Sequence, residues 1–126
     1  MRLLLDTHIA LWLVRDAHEL SAAARRLIDD AEAVHVSSVS IWEAVIKAAI
    51  GKLPLDPARL EAQLRADGVE PLTVTWAHAR AVHTLPMLHR DPFDRMLIAQ
   101  ALSEPLRLLT HDAALTAYSA DLVIVV

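Results

Sequence analysis

The sequence contains no cysteine, only two glycines and no long apolar run. Without cysteine the chain forms neither disulfides nor thiolate metal sites, so any metal must bind Asp, Glu, His or carbonyl groups. Two glycines are too few for a P-loop or a dinucleotide-binding glycine loop. No stretch approaches the ~20 apolar residues of a membrane helix, and Asp6 interrupts the apolar start too early for a signal peptide. We therefore expect a cytoplasmic protein with no membrane segment.

The composition predicts one globular domain over residues 1–126. Hydrophobic residues make up 55% of the chain and charged residues 22%, enough to bury a sizeable core. The net charge of −4 lacks the basic footprint of many nucleic-acid-binding proteins. If four of the 16 acids bound metal, however, the other twelve would balance the 12 Lys and Arg, and the metal would attract phosphate. The charge therefore argues against a broad duplex-binding surface, but not against a metal-bridged substrate.

Short apolar segments alternate with helical patterns along the chain. Strands are predicted at Leu3–Leu5, Val34–Val36, Val69–Val74, Arg107–Thr110 and Leu122–Val126. Helices are predicted after Asp6, over Ser21–Ala31, from Ser37 or Ser38 to Ile50, from Asp56-Pro57 to near Gly68, from Thr75 through Val82, over Pro92–Leu102 and, as a short one, after Asp112. This alternation predicts an α/β fold with a mostly parallel sheet covered by helices.

Four acids occupy positions that such a sheet would bring together. Asp6 directly follows the first strand, and Asp112 lies two residues beyond the fourth. Glu43 and Asp94 lie in the first turns of helices, whose N-termini share the edge formed by the carboxyl ends of parallel strands. Converging carboxylates repel one another without a cation, and Mg²⁺ or Mn²⁺ prefers oxygen ligands. The pattern predicts a site for one or two divalent ions that hydrolyses phosphodiesters, leaving 5′-phosphate and 3′-hydroxyl.

Helix capping offers an alternative explanation for some of these acids. Asp91-Pro92 repeats the pattern of Asp56-Pro57, which has no catalytic partner nearby. Asp91 is therefore expected to be an N-cap first and an outer metal ligand second. A capping or dipole role also remains open for Asp94 and Asp112, and Glu43 alone would be an ordinary helix residue.

Basic residues beside the acids are candidates for binding the substrate. Arg90 and Arg95 are the best phosphate contacts, because the guanidinium matches phosphate geometry. The alternative, equally open, is that these arginines only balance the negative charges of Asp91 and Asp94 within the protein. Lys47 is expected to be a solvated lysine or part of a substrate path.

The sequence says less about the roles of the histidines and tryptophans. No two of the seven histidines pair convincingly as acid and base for metal-free catalysis, but His89 and His111 flank the acids and could orient a substrate. Trp12, Trp42 and Trp76 lie on apolar helix faces. Core or dimer contact is expected for them rather than base stacking.

Four segments together resemble the PIN-domain family, in particular the VapC-type toxins. The segments are LLLDTHIALW (Leu3–Trp12), SSVSIWEAVIK (Ser37–Lys47), HRDPFDRMLIAQA (His89–Ala101) and LLTHD (Leu108–Asp112). The third is the most specific, and the four occur in the family's order. The resemblance implies a PIN-like three-layer α/β fold and a metal-dependent endoribonuclease using Mg²⁺ or Mn²⁺. It also implies an RNA substrate, a cognate antitoxin protein and a homodimer.

The resemblance also assigns roles by position. Asp6, Glu43 and Asp94 would be the core metal ligands and catalytic acids, with Asp112 completing the site. Asp91 would be an outer candidate, and Thr7 and Thr110 would hydrogen-bond the carboxylates or a water.

Other classes of protein fit less well. A hydrolase with an aspartyl nucleophile would need an acid two residues after Asp6, where the chain has His8. A phospho-receiver domain would need a neighbouring acid and a lysine after a late strand, which Thr110-His111-Asp112 lacks. The remaining alternative is a non-catalytic PIN-like module that binds RNA or protein.

Overall fold

The computed structural model describes residues 1–126, in which helices follow each of the first three strands and a 3₁₀ turn separates the last two strands. The strands are β1 Arg2–Leu5, β2 Ala33–Ser37, β3 Glu70–Leu72, β4 Arg107–Thr110 and β5 Val123–Val125. The helices are α1 Thr7–Val14, α2 Ala22–Asp30, α3 Ser38–Ala49, α4 Pro57–Ala66, α5 Trp76–Ala81 and α6 Pro92–Ser103. Two 3₁₀ turns cover Val82–Thr84 and Ala113–Ala117. None of the helices combines the length and apolar character needed to cross a membrane.

The five strands form one sheet in the order β3-β2-β1-β4-β5, and every neighbouring pair is parallel. In the central strand, Leu5 lies opposite Val36 of β2 and Leu109 of β4. The leucines at 3, 4 and 5 are fully buried, because a central parallel strand is covered on both faces. The α/β prediction is confirmed, and the sheet is entirely parallel.

Each face of the sheet is covered by its own group of helices. Leu3 and Leu5 pack with residues of α1, α2 and α4, whereas Leu4 packs on the opposite face with Leu97 and Ile98 of α6. Alternate residues of a strand point to opposite faces, so the leucine run supplies both cores. Burial of each leucine contributes roughly 1.5–3 kcal/mol. The result is the three-layer arrangement expected from the sequence.

Several predicted boundaries differ from the structure. The strand predicted over Val69–Val74 spans only Glu70–Leu72. It is an edge strand with Pro71 at its centre, and a proline cannot donate a ladder hydrogen bond. The helix capped by Thr75 ends at Ala81 and tightens into a 3₁₀ turn. The short helix after Asp112 is likewise a 3₁₀ turn.

One edge of the sheet collects the positions that the sequence singled out. Asp6 follows β1 and begins α1, and Thr110 ends β4. The first turns of α3 and α6 meet the same edge, because α3 follows β2 directly and α6 packs against α3. We call this region, with Asp6, Glu43, Asp94 and Asp112, the acidic edge.

Candidate metal centre

Asp6 is a buried carboxylate that caps a helix. Its Oδ1 accepts a hydrogen bond from the Ile9 amide at 2.9 Å, and its Oδ2 accepts one from the Thr110 hydroxyl. The residue is only 5% exposed. Burial raises the pKa of Asp6 above its usual value, and the hydrogen bonds from Thr110 and Ile9 oppose this rise only in part. The protein therefore does not fully replace the hydration that the ionised carboxylate of Asp6 loses on burial.

Thr110 connects Asp6 with Asp112. Its hydroxyl donates to Asp6 and accepts a hydrogen bond from the Asp112 amide at 3.0 Å. Asp112 caps the following 3₁₀ turn through Oδ1, which accepts from the Ala114 amide at 2.9 Å. Asp6 and Asp112 thus each use Oδ1 for capping, while Oδ2 of Asp6 accepts from Thr110 and Oδ2 of Asp112 lies near His89. The capping role left open for Asp112 is correct, and Asp6 also caps a helix, which the sequence did not predict. In both acids one carboxylate oxygen is not used for capping.

Asp94 lies in the first turn of α6, and its carboxyl group is costly to ionise. Its pKa is raised to about 7, first by removal from water and then by the negative charges of Asp91 and Asp6. His89 lowers the pKa and Glu43 raises it further. The ionised carboxylate consequently lacks a sufficient counter-charge within the protein.

Asp91 has the capping role that the comparison with Asp56 predicted. Its Oδ1 accepts from the Phe93 amide at 2.8 Å and from the Asp94 amide at 3.3 Å. Asp56 caps α4 in the same way, through the Ala58 amide at 3.0 Å. Asp91 nevertheless adds negative charge beside Asp94.

Glu43 is held by two partners on the inner side of α3. Its Oε1 accepts from the Thr7 hydroxyl at 2.7 Å, and its Oε2 lies 2.9 Å from Lys47 Nζ. Thr7 also lies 2.9 Å from the Ser40 hydroxyl. The sequence interpretation did not place Lys47 in the site, although the spacing of four residues between Glu and Lys on one helix signals such a pair. A metal at Glu43 would share this carboxylate with Lys47.

His89 lies beside two acids of the acidic edge. Its Nε2 lies 3.3 Å from Asp112 Oδ2 and 3.7 Å from Asp94 Oδ2. The ligand atoms of His89, Asp94 and Asp112 all lie within 4.8 Å of one another, a spacing that could hold a metal ion. However, His89 Nδ1 accepts a hydrogen bond from the Asp91 amide at 3.1 Å. A neutral ring then carries its proton on Nε2, so we assign His89 as a donor to the carboxylates rather than a metal ligand.

Arg95 contacts no carboxylate. Its guanidinium donates to the carbonyl oxygens of Pro86 and Val82 and to the Tyr118 hydroxyl, at 2.9, 3.3 and 3.2 Å. These bonds join α6 to the preceding loop and use donors that a phosphate would need. Neutralisation of Asp94 by Arg95 is not observed, and Arg90 is the more accessible of the two arginines.

Tyr118 is a supporting residue that the sequence interpretation missed. Its hydroxyl accepts from the His89 amide at 2.9 Å as well as from Arg95. It thereby holds the segment that presents His89 to the acids. No local pattern signals this role, since Tyr118 reaches the site only through the fold.

A sequence profile of the PIN domain matches residues 3–120. The chain belongs to the PIN-domain family. Ribonuclease VapC22 from Mycobacterium tuberculosis is 31% identical to this PIN domain over 117 residues, which cover 91% of this chain and 90% of the relative.

Two solved structures share the fold of this PIN domain. The VapBC2 complex of Rickettsia felis, bound to a DNA fragment from its promoter, matches with a TM-score of 0.72 over 98% of both chains at 14% identity. A toxin–antitoxin complex from Klebsiella pneumoniae matches with a TM-score of 0.66 over 96% of this chain and 94% of the other, at 16% identity. At these identities the likeness concerns the fold alone.

The acidic edge of this PIN domain fits a divalent cation. Its donors are carboxylate oxygens, which hard cations such as Mg²⁺ and Mn²⁺ prefer. Asp6 is buried with a raised pKa, and the pKa of Asp94 reaches about 7. Both rises in pKa come first from burial, and a bound cation would oppose them by favouring the ionised carboxylates.

Proposed function

We propose that this PIN domain is a Mg²⁺- or Mn²⁺-dependent endoribonuclease that acts as the toxin of a toxin–antitoxin pair. The observation that carries the proposal is the desolvated carboxylate of Asp94, with a pKa of about 7, facing Asp112 and the charge of Asp6. The name of the relative from Mycobacterium tuberculosis supports the ribonuclease activity. The toxin–antitoxin complex from Klebsiella pneumoniae supports the toxin role.

Asp6, Asp94 and Asp112 would hold the cation, and Glu43 would contribute one oxygen in competition with Lys47. A bound divalent ion would lower the pKa of a water and stabilise negative charge on the phosphate. The protein's own contribution is to fix the carboxylates before substrate arrives, since preorganised groups need no rearrangement during the reaction.

Three side chains fix the acids in place. Thr110 orients both Asp6 and Asp112, and Thr7 orients Glu43. His89 directs its Nε2 hydrogen towards Asp112 and Asp94, which orients their free oxygens. Partners that orient ligands in this way commonly change metal affinity by about 10–100-fold when removed.

The proposed antitoxin and a second copy of the chain both require protein-binding surface. An exposed apolar stripe runs along α3, where residues three and four apart lie on one face. Its members are Trp42, Val45 and Ile46 of α3 and Ile50, the residue that caps the C-terminus of α3, with exposed fractions of 60, 39, 38 and 61%. Exposed apolar side chains grouped on one helix face are typical of interaction sites, and they support the expectation of a protein partner and a homodimer.

The test is cleavage of structured RNAs by the purified chain with Mg²⁺ or Mn²⁺. Asp94→Asn should reduce cleavage at least ~100-fold, because charge stabilisation by a bound metal amounts to several kcal/mol. Asp56→Asn is the control, because it makes the same Asp-to-Asn change at an exposed helix N-cap whose charge does not contribute to the raised pKa of Asp6 or Asp94. Cleavage that is independent of metal, or equal in both variants, would contradict the proposal.

The same variants separate a toxin from a non-catalytic module. Expression of the wild type should arrest growth, and Asp94→Asn should relieve the arrest while Asp56→Asn should not. RNA binding without cleavage by any of the three proteins would instead support the non-catalytic PIN-like module.

A further inference from the structure

A cavity opens directly beside the acidic edge. It has a volume of about 390 Å³ and is lined by Asp6, Asp112, His8, Trp12 and His111. Two of these residues are acids of the candidate metal centre, and the other three carry planar rings. We call His8, Trp12 and His111 the ring wall. A molecule bound at the acids would therefore extend along the ring wall.

The ring wall is held by two elements that meet at this edge. His8 and Trp12 are four residues apart on α1, so they share one face of the helix. His111 follows β4, and its Nδ1 donates to the Val126 carbonyl at 2.6 Å, which fixes the ring. The Trp12 ring centroid lies 5.2 Å from that of His111, edge to face, and 6.3 Å from that of His8.

Trp12 differs from the other two tryptophans. Part of its side chain packs against the core and the rest lines the cavity. Trp42 and Trp76 are 60% and 93% exposed and do not line this cavity, so neither is a core residue, and dimer contact, the other expectation for them, stays a prediction. The core contact fixes Trp12, and a fixed aromatic ring provides a stacking surface without first losing side-chain entropy.

The chemistry of the cavity favours a nucleobase over a phosphate at the ring wall. The wall contains no lysine or arginine, and Asp6 and Asp112 stand beside it. Single-stranded RNA is bound by stacking its bases on aromatic and histidine side chains, while its phosphates require cations. An RNA whose phosphate lies at the metal centre would thus direct an adjacent base into the cavity.

We propose that the ring wall is a nucleobase-binding subsite that holds the base next to the scissile phosphate of single-stranded RNA. This inference rests on the proposed ribonuclease function and deepens it. The base must be unstacked to enter the cavity. The subsite therefore selects single-stranded or looped RNA over continuous duplex, and a duplex with no unpaired bases is a poor substrate.

The test uses the fluorescence of Trp12 alone. Trp42→Phe and Trp76→Phe remove the two exposed tryptophans, the proposed metal ligands stay unchanged, and phosphorothioate linkages, which keep the backbone charge, slow cleavage of the RNA during the titration. With Mg²⁺ present, a short single-stranded RNA of mixed sequence should quench Trp12 saturably. An oligonucleotide of equal length that is abasic throughout keeps the backbone charge. It should leave Trp12 unquenched and bind about 5–150-fold more weakly, the range expected for loss of one base stack.

A second set of variants guards against misfolding. His8→Ala and His111→Ala alter exposed residues, and Trp12→Leu keeps apolar volume against the core. Made in the otherwise unchanged, active chain, each should raise KM for single-stranded RNA with little change in kcat, while thermal unfolding stays close to that of the wild type. Unquenched Trp12 at saturating RNA, or an unchanged KM in all three variants, would overturn the inference.

Cleavage by the wild type distinguishes the two proposals. Intact Mg²⁺-dependent cleavage without quenching of Trp12 would contradict the nucleobase subsite and support the ribonuclease function. Saturable quenching of Trp12 without cleavage by the wild type would support a base-binding site and contradict the ribonuclease function.

Discussion

Asp94→Asn should stabilise the metal-free protein, although it removes a proposed metal ligand. The pKa of Asp94 is raised from 3.8 to about 7, chiefly by burial. The folded state therefore binds a proton more tightly than the unfolded state, so stability contributed by protonated Asp94 is lost as the pH rises from about 4 to about 7. Asparagine has a similar shape and no charge to bury, so the substitution removes this loss.

The magnitude follows from the size of the rise in pKa. At about 1.4 kcal/mol for each tenfold change in the ionisation constant, ionising Asp94 in the folded state costs at most about 4 kcal/mol. The side chain is 22% exposed, and solvent screening reduces this cost, so we expect a gain of about 2 kcal/mol at pH 8. In urea this corresponds to a midpoint shift of roughly 1 M. At pH 4 the gain should nearly vanish.

The assay is urea unfolding in EDTA at pH 4, 6 and 8, at one protein concentration. Asp56→Asn is the control and should stay within about 0.5 kcal/mol of the wild type, because Asn caps a helix nearly as well as Asp. Mg²⁺ at about 100 times its Kd should stabilise the wild type by about 2.7 kcal/mol, and Asp94→Asn by less. Equal stability of Asp94→Asn and wild type at pH 8, or a gain independent of pH, would refute this reasoning.

Two further substitutions test the supports of the acidic edge. Thr7→Val removes the hydroxyl that holds Glu43. It should lower the free energy of unfolding by about 1–2 kcal/mol in urea unfolding and lower Mg²⁺ affinity by about 10-fold in a calorimetric titration. Unchanged Mg²⁺ affinity would contradict the role of Thr7. Arg95→Met removes bonds to two loop carbonyls and Tyr118 and should cost about 1–3 kcal/mol. If Arg95 instead contacted RNA, KM would rise with no loss of stability.

The acids that begin helices could be predicted because their signals are local. An apolar run ending in a charge marked Asp6 at the end of a strand, and parallel pairing then predicted which edge it shares with Asp94. The repeat of Asp-Pro at 56 and 91 correctly predicted that Asp91 caps α6. These inferences needed only strand direction and capping preferences.

The supporting contacts depend on the path of the chain, so local patterns did not reveal them. Arg95 bonds carbonyl oxygens of the loop before α6, and Tyr118 reaches His89 from 29 residues away. The exposure of Trp76 escaped prediction because α5 has only six residues, too few to define an apolar face. Trp12 and His111 meet only because β1 and β4 are neighbours.

The most direct test of the metal centre is a crystal of the protein grown or soaked with Mn²⁺. Anomalous scattering should show a peak at the acidic edge within bonding distance of carboxylate oxygens of Asp6 and Asp94, and Asp94→Asn should weaken or abolish it. No peak there in the wild type, with these two side chains turned away from each other, would contradict the account.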